Sequence, residues 1–190
     1  MRRILVLAYL LSAFCWADPG LVKIVSSNIS PDVKAGSFAS KPRTVYRQGA
    51  FLARVEEVDD PVDRVHMVVI RSHSEGWTVD LRNKVARHSL GLPEEVRVPV
   101  IPVGPLAALE FGHELDFMRS HKVQPKQGVY LYRQEPYLVR LVTKAGKPAL
   151  LEASEKGKLL LRLRYDVYVS NLPANPGLFQ VPAGFQMTEP

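Results

Sequence analysis

Four side chains with metal-binding chemistry fall close together near the middle of the chain: Glu110, His113, Asp116 and His121. His113 and Asp116 are three residues apart, a spacing that places two side chains on one face of a helix. A metal site needs three or four converging ligands with partners that orient them, and the chain has no HExxH or comparable spacing. The sequence therefore predicts solvated helix side chains at these positions and no metal site.

Other runs resemble catalytic motifs only in residue type. Residues 72–75 read Ser-His-Ser-Glu, but a catalytic triad is assembled from distant chain positions, and the chain has no G-x-S-x-G motif. The acidic pairs at 56–57, 59–60 and 94–95 lie beside chain breakers, where solvated carboxylates are expected. Glycine-containing turns lack the spacing of phosphate or dinucleotide loops. We predict a non-enzymatic protein with no catalytic residue and no cofactor.

Alternating apolar side chains indicate a different chemistry, the burial of an apolar ligand. Two segments, 77–81 and 158–170, alternate apolar with polar residues, so the apolar side chains of each are predicted to share one sheet face. The alternative is that such side chains fill a packed core. The predicted ligand-binding residues are Trp77, Val79, Leu81, Leu159, Leu161, Leu163 and Tyr165 on the sheet, with Phe111 and Leu115 on its cover.

The elements that would position these residues are short strands separated by turns. One helix is predicted over 105–120, with a proline in its first turn and an apolar face; Gly112 inside it leaves two shorter helices as an alternative. About nine strands are predicted, because turn residues punctuate the chain at short intervals. They cover 44–47, 51–58, 64–73, 77–81, 85–89, 129–134, 137–144, 149–154 and 158–170.

Strands this short favour an antiparallel meander over βαβ units. Because an open sheet leaves reactive edges, we expect a curled antiparallel sheet or half-barrel covered by the mid-chain helix, a mainly β (α+β) fold. Residues 42–190 are predicted to form this single domain. Residues 18–41, rich in Ser, Gly and Pro, are predicted to be a flexible leader, within which 21–25 could form a short strand or helical turn.

The first 17 residues have the pattern of a cleavable signal peptide. Arg2 and Arg3 precede an apolar run over 4–14, and Ala17 supplies a small residue at which a peptidase would cut. The run is too short to span a bilayer comfortably, and the mature chain has no other candidate. Cys15 lies inside the signal behind the bulky Phe14, which argues against lipidation. A mature domain without a thiol would have no disulfides and no thiolate ligands.

The charge distribution argues against nucleic acid as a partner. The formal net charge is +6, of which Arg2 and Arg3 contribute two, so the mature chain carries +4. Basic residues are interspersed with acidic ones, and no run of five to eight Lys or Arg occurs. A modest attraction to anionic membrane surfaces is compatible with this charge.

Residues 176–185 read Pro-Gly-Leu-Phe-Gln-Val-Pro-Ala-Gly-Phe and follow a long predicted strand. This ending, with the segments 45–57 and 77–81, resembles bacterial periplasmic proteins of the outer-membrane lipoprotein-sorting (LolA/LolB-like) carrier superfamily. The resemblance implies a curled antiparallel sheet closed by helices, whose concave apolar face can hold acyl chains. It also implies export to the bacterial periplasm.

We therefore predict a periplasmic binding or carrier protein that shelters an apolar ligand such as a lipid or a lipoprotein acyl chain. The alternative is an envelope scaffold or protein-interaction domain with a packed interior and no ligand, using its polar strand face and edge for a protein partner. A continuous cavity of a few hundred Å³ would favour the carrier, because ligand pockets have that size, and a filled interior would favour the scaffold.

Overall fold

The computed structural model describes residues 20–188, so the signal peptide predicted for residues 1–17 and Cys15 lie outside the described residues. The described residues form eleven strands, one α-helix, α1 (Glu114–Ser120), and three short 3₁₀ helices. The strands are β1 (Leu21–Asn28), β2 (Arg43–Gln48), β3 (Leu52–Glu56), β4 (Met67–Ser72), β5 (Glu75–Asp80), β6 (Val85–Ser89), β7 (Val129–Gln134), β8 (Tyr137–Lys144), β9 (Lys147–Glu155), β10 (Lys158–Leu172) and β11 (Gln186–Thr188).

All eleven strands belong to one open sheet in the order β11-β6-β5-β4-β3-β2-β1-β10-β9-β8-β7. Neighbouring strands are antiparallel except for β11, which pairs parallel with β6. The predicted mainly β, antiparallel character is thus confirmed, while the strand number is eleven rather than about nine. Within residues 20–188, no helix is long and apolar enough to cross a membrane.

The sheet buries apolar residues on both of its faces. On one, the front face, the core consists of Ile24 and Val45 together with side chains of β7–β10. On the other, the back face, Val68 and Ile70 of β4 pack with Val79. The strand register separates these clusters, because Val45 pairs with Val55 and Val55 with Val69, leaving Val68 and Ile70 on the opposite side. The expected single apolar interior is therefore replaced by two cores.

Each face has its own cover. Residues 96–123, hereafter the cover segment, contribute Leu106, Leu109, Phe117 and Met118 to the front core. The C-terminal residues 173–185 cover the back core, where a 3₁₀ helix at Pro176–Phe179 inserts the buried Phe179. These covers keep apolar residues of a single sheet layer out of water on both sides.

The helix predicted over 105–120 is divided into two. A 3₁₀ helix spans Gly104–Ala108, and α1 begins only at Glu114. Between them Leu109 is extended, and Gly112 has φ +85°, a left-handed conformation that glycine adopts without steric cost. The alternative of two shorter helices is the correct interpretation, because the chain turns back between them to pair with residues 98–100.

Part of the predicted flexible leader is a central element of the sheet. β1 (Leu21–Asn28) lies between β2 and β10 and pairs with both. The apolar run at 21–25 is thus a strand, and the prediction of a leader is wrong for residues 21–28. Residues 29–42, which follow β1, contain a short 3₁₀ helix at Phe38–Ser40 and lead into β2.

Three register shifts interrupt β10, one of them near its end between Val169 and Leu172, and the other two are β-bulges that alter the alternation that its sequence predicts. Leu159 pairs with Ser154 but Leu161 with Ala153, so Leu160 is an extra residue and Leu159 lies on the face opposite Leu161. The second bulge lies between Tyr165 and Val167, which pair with Ser26 and Val25. Val167 and Val169 accordingly lie on the back face, and the prediction that all these apolar residues share one face is wrong.

Candidate functional site

One main-chain hydrogen bond holds the start of the cover segment beside the sheet, and further along the segment pairs with itself. Val96 N–H donates to Ala50 O at 2.8 Å, beside the β2–β3 turn. Further along, Val100 N–H donates to Leu109 O at 2.8 Å and Phe111 N–H donates to Val98 O at 3.0 Å. These bonds satisfy the backbone of an otherwise irregular segment and fix Phe111 over the sheet.

Arg47 of β2 is a buried cation that fastens the cover segment to the sheet. Its side chain forms an ion pair with Glu110, and the two side chains are 7% and 15% exposed. The same guanidinium donates to Val96 O at 3.1 Å and to Phe111 O at 3.4 Å. Because one planar group binds both arms of the cover segment, removing it would leave Glu110 and two carbonyls without this partner.

Glu114, the first residue of α1, is a carboxyl group with no exposure to solvent. Three donors surround it: Tyr165 Oη at 3.0 Å from Oε1, Tyr168 Oη at 3.2 Å from Oε2, and Gly112 N at 3.1 Å from Oε2. The cluster ties α1 to β10 through Tyr165, which is buried, and Tyr168, which is partly buried.

The second bulge of β10 explains how two tyrosines three residues apart reach one carboxyl. In a regular strand, side chains three apart point to opposite faces. Here Tyr165 pairs with Ser26 and Tyr168 with Ile24, residues two apart on β1, so both tyrosines lie on the front face. The extra residue, Asp166, accepts a hydrogen bond from Ser27 Oγ at 2.5 Å.

Burial changes the acid–base properties of this cluster. It raises the pKa of Glu114 to about 7, with hydrogen bonds from the main chain and from Tyr165 and Tyr168 limiting the rise. Burial and the neighbouring Glu114 carboxyl raise the pKa values of both tyrosines. At His113, burial lowers the pKa of the imidazole, and the positive charge of Arg47 lowers it further. Glu114 consequently exchanges its proton near neutral pH.

A cavity of about 320 Å³ opens between the front face and the two segments that flank it. Its floor includes Leu161 and Leu163 of β10, and Phe111 and Val100 of the cover segment form one wall. The opposite wall comes from residues 38–42. Its lining is Ser26, Asn28, Phe38, Ala39, Lys41, Pro42, Arg43, Glu57, Val58, Pro99, Val100, Pro102, Phe111, Leu161 and Leu163.

A second depression of about 420 Å³ adjoins the first along residues 100–102 of the cover segment. It shares Val100, Pro102 and Leu161 with the first cavity, which places the two side by side along the front face. Its remaining lining residues are Ile101, Val103, Tyr137, Glu155 and Leu160. Leu160, the extra residue of the first bulge, is 37% exposed there.

The structure brings together only some of the predicted ligand-binding residues. Phe111, Leu161 and Leu163 line the first cavity. Tyr165 and Leu115 belong to the same front core, but neither lines the cavity, and the Tyr165 hydroxyl is committed to Glu114. The predicted residues of the front face therefore fall into two groups: some line the cavity, and the others pack in the core beside it.

The other four predicted residues lie elsewhere. Trp77, Val79 and Leu81 pack in the back core beneath the C-terminal residues, and Trp77 stacks on His88 with ring centroids 3.8 Å apart. Leu159 is removed from the cavity face by the first bulge. These residues cannot line one cavity with Phe111, because the sheet itself separates Trp77, Val79 and Leu81 from it.

The polar residues that our reading of the sequence missed are Arg47, Glu114 and Tyr168. A signal for Glu114 was present, since it precedes Phe117 and Met118 by three and four residues and so shares the apolar face of α1. No local pattern distinguishes Arg47 from the other arginines of the strands. Its burial follows from the path of the cover segment, which crosses the sheet 49 to 64 residues later.

The prediction of a solvated helix side chain is wrong for Glu110, which precedes α1 and pairs with the buried Arg47. The other residues considered for metal binding and catalysis lie mainly at the surface. His113 Nδ1 is 3.5 Å from Asp116 Oδ2, and both side chains are substantially exposed. His121 Nδ1 lies 2.8 Å from Phe117 O at the end of α1. Residues 72–75 form the tight turn between β4 and β5. Among residues 20–188, no group of three or more His, Cys, Asp or Glu side chains is arranged to hold a metal ion.

Comparisons with known proteins identify no family for this chain. No protein-family model matches it, and no curated protein does. Among solved structures, it is similar to an uncharacterised conserved protein from Thermus thermophilus, with 13% sequence identity and a TM-score of 0.48. The match covers 90% of this chain and 91% of the other.

Proposed function

We propose that this protein is a non-enzymatic carrier or binding protein that shelters an apolar ligand, such as a lipid or an acyl chain, in the cavity of the front face. The observation that carries the proposal is the cavity itself, whose floor and wall include Phe111, Leu161 and Leu163. Its volume of about 320 Å³ falls within the range of small-molecule sites, roughly 300–1,000 Å³.

Hydrophobic burial supplies the binding energy in this proposal. Apolar surface removed from water contributes roughly 25 cal/mol per Å², so an alkyl chain along Leu161, Leu163 and Phe111 needs no covalent chemistry to remain bound. The adjoining depression around Leu160 and Val103 offers further apolar surface for a longer chain. In this role the front part of the sheet serves as a half-barrel that receives the chain.

The cover segment has the construction expected of a wall that shapes such a cavity. The Arg47–Glu110 pair and the Glu114 cluster fasten it to the sheet beside the cavity, and Pro99, Val100 and Pro102 line the cavity itself. We place the protein in the bacterial periplasm and relate it to the lipoprotein-sorting carriers as part of the same proposal. The predicted signal peptide and the C-terminal pattern support that placement.

Binding of a dansyl-labelled fatty acid, together with native mass spectrometry of protein purified from the bacterial envelope, tests the proposal. Ala39 is exposed and lines the cavity, so Ala39→Trp should fill the opening and weaken binding of the probe at least tenfold. Ala35→Trp is the matched control, because Ala35 is exposed in the same loop but does not line the cavity.

The unmodified protein should carry a lipid-sized mass adduct and increase the probe's fluorescence. If it shows neither, the carrier proposal is rejected and the packed scaffold is favoured. Equal loss of binding in both tryptophan variants would place the ligand somewhere other than this cavity.

A further inference from the structure

Of the charged side chains at the mouth of the cavity, two form an ion pair with each other and the third does not. Three charged side chains line it: Lys41, Arg43 and Glu57. Arg43 and Glu57 form an ion pair with a nitrogen–oxygen distance of 2.7 Å and so largely neutralise each other. Lys41 forms no ion pair within 4.0 Å in the described part of the chain. The mouth therefore carries one uncompensated positive charge.

Lys41 is held beside the apolar wall of the cavity. Its Nζ lies 5.5 Å from the centroid of the Phe38 ring, and both residues line the cavity. This cation–π contact keeps the ammonium group near the mouth while leaving its N–H donors free to bind an anion. Asn28 adds a polar group at the same place; its Oδ1 accepts two hydrogen bonds from Ser30, so the amide is fixed in orientation.

The neighbouring depression has the opposite charge. Glu155 is its only charged lining residue, and among residues 20–188 the carboxyl forms no ion pair. An anion at that end would be repelled, whereas an anion at Lys41 would be attracted. The front face thus presents a positive end and a negative end, separated by the apolar residues Val100 and Leu161, which line both spaces.

We infer that the cavity selects amphiphiles with an anionic head group, bound at Lys41, whose chain extends over Leu161 and Leu163 beneath Phe111. The inference rests on the proposed carrier function and specifies its ligand class. A fatty carboxylate and an alkyl phosphate share this chemistry, since each joins a negative head to a single alkyl chain. A neutral or cationic head would forgo the attraction to Lys41.

The test is displacement of a neutral apolar probe, N-phenyl-1-naphthylamine, by four ligands with the same C12 chain at pH 8. The ligands are dodecanoate, dodecyl phosphate, dodecanol and dodecyltrimethylammonium. We expect both anionic ligands to displace the probe at lower concentration than dodecanol by roughly fivefold, the size of a favourable exposed ion pair. The cationic ligand should be the weakest of the four.

Lys41→Gln should remove the preference for both anionic ligands while leaving dodecanol binding within about twofold. Lys34→Gln is the matched control, because Lys34 is an exposed lysine of the same loop that does not line the cavity. A greater effect on dodecyl phosphate than on dodecanoate would identify phosphate as the preferred head, and the reverse would identify carboxylate.

The inference is overturned if all four ligands bind equally, or if Lys41→Gln and Lys34→Gln have the same effect. In either case, binding of the neutral probe and of dodecanol would still support the carrier function. Failure of every ligand, and of the neutral probe, would instead reject the carrier function itself.

Discussion

The two faces of the sheet bury apolar residues under covers of different chemistry. On the back face, Val68, Ile70 and Val79 pack against Phe179, and the contacts are mainly apolar. On the front face, the cover segment is additionally fastened by the Arg47–Glu110 pair and by Glu114, beside a cavity. The back cover has a polar contact as well, since Arg54 donates to Leu178 O at 3.4 Å, but among residues 20–188 no buried acid fastens it. A cover fastened at several polar points can leave unfilled space next to them, whereas a cover held mainly by dispersion contacts must pack closely.

The comparison predicts that the largest loss of stability comes from a single polar side chain of the front face. Glu114→Ala leaves the hydroxyls of Tyr165 and Tyr168 and the N–H of Gly112 without their acceptor and creates a cavity. We expect the free energy of unfolding at pH 5 to fall by about 4 kcal/mol. Urea denaturation measures this change.

Two variants control for this effect. Glu114→Gln keeps the volume and one acceptor oxygen and should cost about 1 to 2 kcal/mol. Glu94→Ala removes a carboxyl that is 73% exposed and should change stability by less than about 0.5 kcal/mol. If Glu114→Ala costs no more than Glu94→Ala, the polar cluster does not hold the cover segment.

The same carboxyl should make stability depend on pH. The pKa of Glu114 is about 7 in the folded protein and near 4.5 in the unfolded chain. Between these values the folded state binds one more proton, so stability is fully present below about pH 4.5 and decreases as pH rises to about 7. We expect a loss of about 3 kcal/mol over this range and no further loss from Glu114 above it.

Comparison of the unmodified protein with Glu114→Gln over pH 4.5 to 8 isolates this contribution. His113, whose lowered pKa favours the folded state at higher pH, is common to both proteins and cancels in the difference. The difference in unfolding free energy should decline with rising pH. A difference that is constant with pH would show that Glu114 is ionised throughout the range.

The back face should respond to mutation in stability but not in ligand binding. Val79 is fully buried there, and Val79→Ala should lower the free energy of unfolding by about 2 kcal/mol through lost burial and a residual void. Affinity for the dansyl-labelled fatty acid should stay within about twofold, because Val79 lies across the sheet from the cavity. A large loss of affinity without unfolding would move the binding site to the back face.

Local signals in the sequence predicted much of the sheet. The turn between β8 and β9 is one example: Ala145 and Gly146 both have positive φ, as a two-residue hairpin turn requires, and the predicted strands on either side are confirmed. The break at Gly112 was among the alternatives, because glycine in a helix is costly. Such features depend only on a few residues that are adjacent in the sequence, so they can be predicted from it.

The sequence could not show in the same way which face of the sheet the apolar side chains of each strand occupy. Val79 and Leu163 both lie in clear alternating patterns, yet they belong to cores on opposite sides of one sheet. An alternating pattern shows that one face of a strand is apolar and the other polar. To decide whether the apolar faces of two distant strands lie on the same side of the sheet, the register of every strand between them must be known. The bulges at Leu160 and Asp166 add shifts of one residue that the apolar pattern conceals.

Among the substitutions in the two cores, the smallest expected change in stability belongs to Leu161, which lines the cavity and is only partly buried. Leu161→Ala should lower the free energy of unfolding by only about 1 kcal/mol, because one side of the side chain already faces unfilled space. Affinity for the dansyl-labelled fatty acid should nevertheless fall about fivefold, since the bound chain loses part of its apolar contact. Val79→Ala, with the opposite pattern, is its control. If Leu161→Ala destabilises the protein as much as Val79→Ala and leaves binding intact, the front face is packed like the back face and the cavity does not hold the ligand.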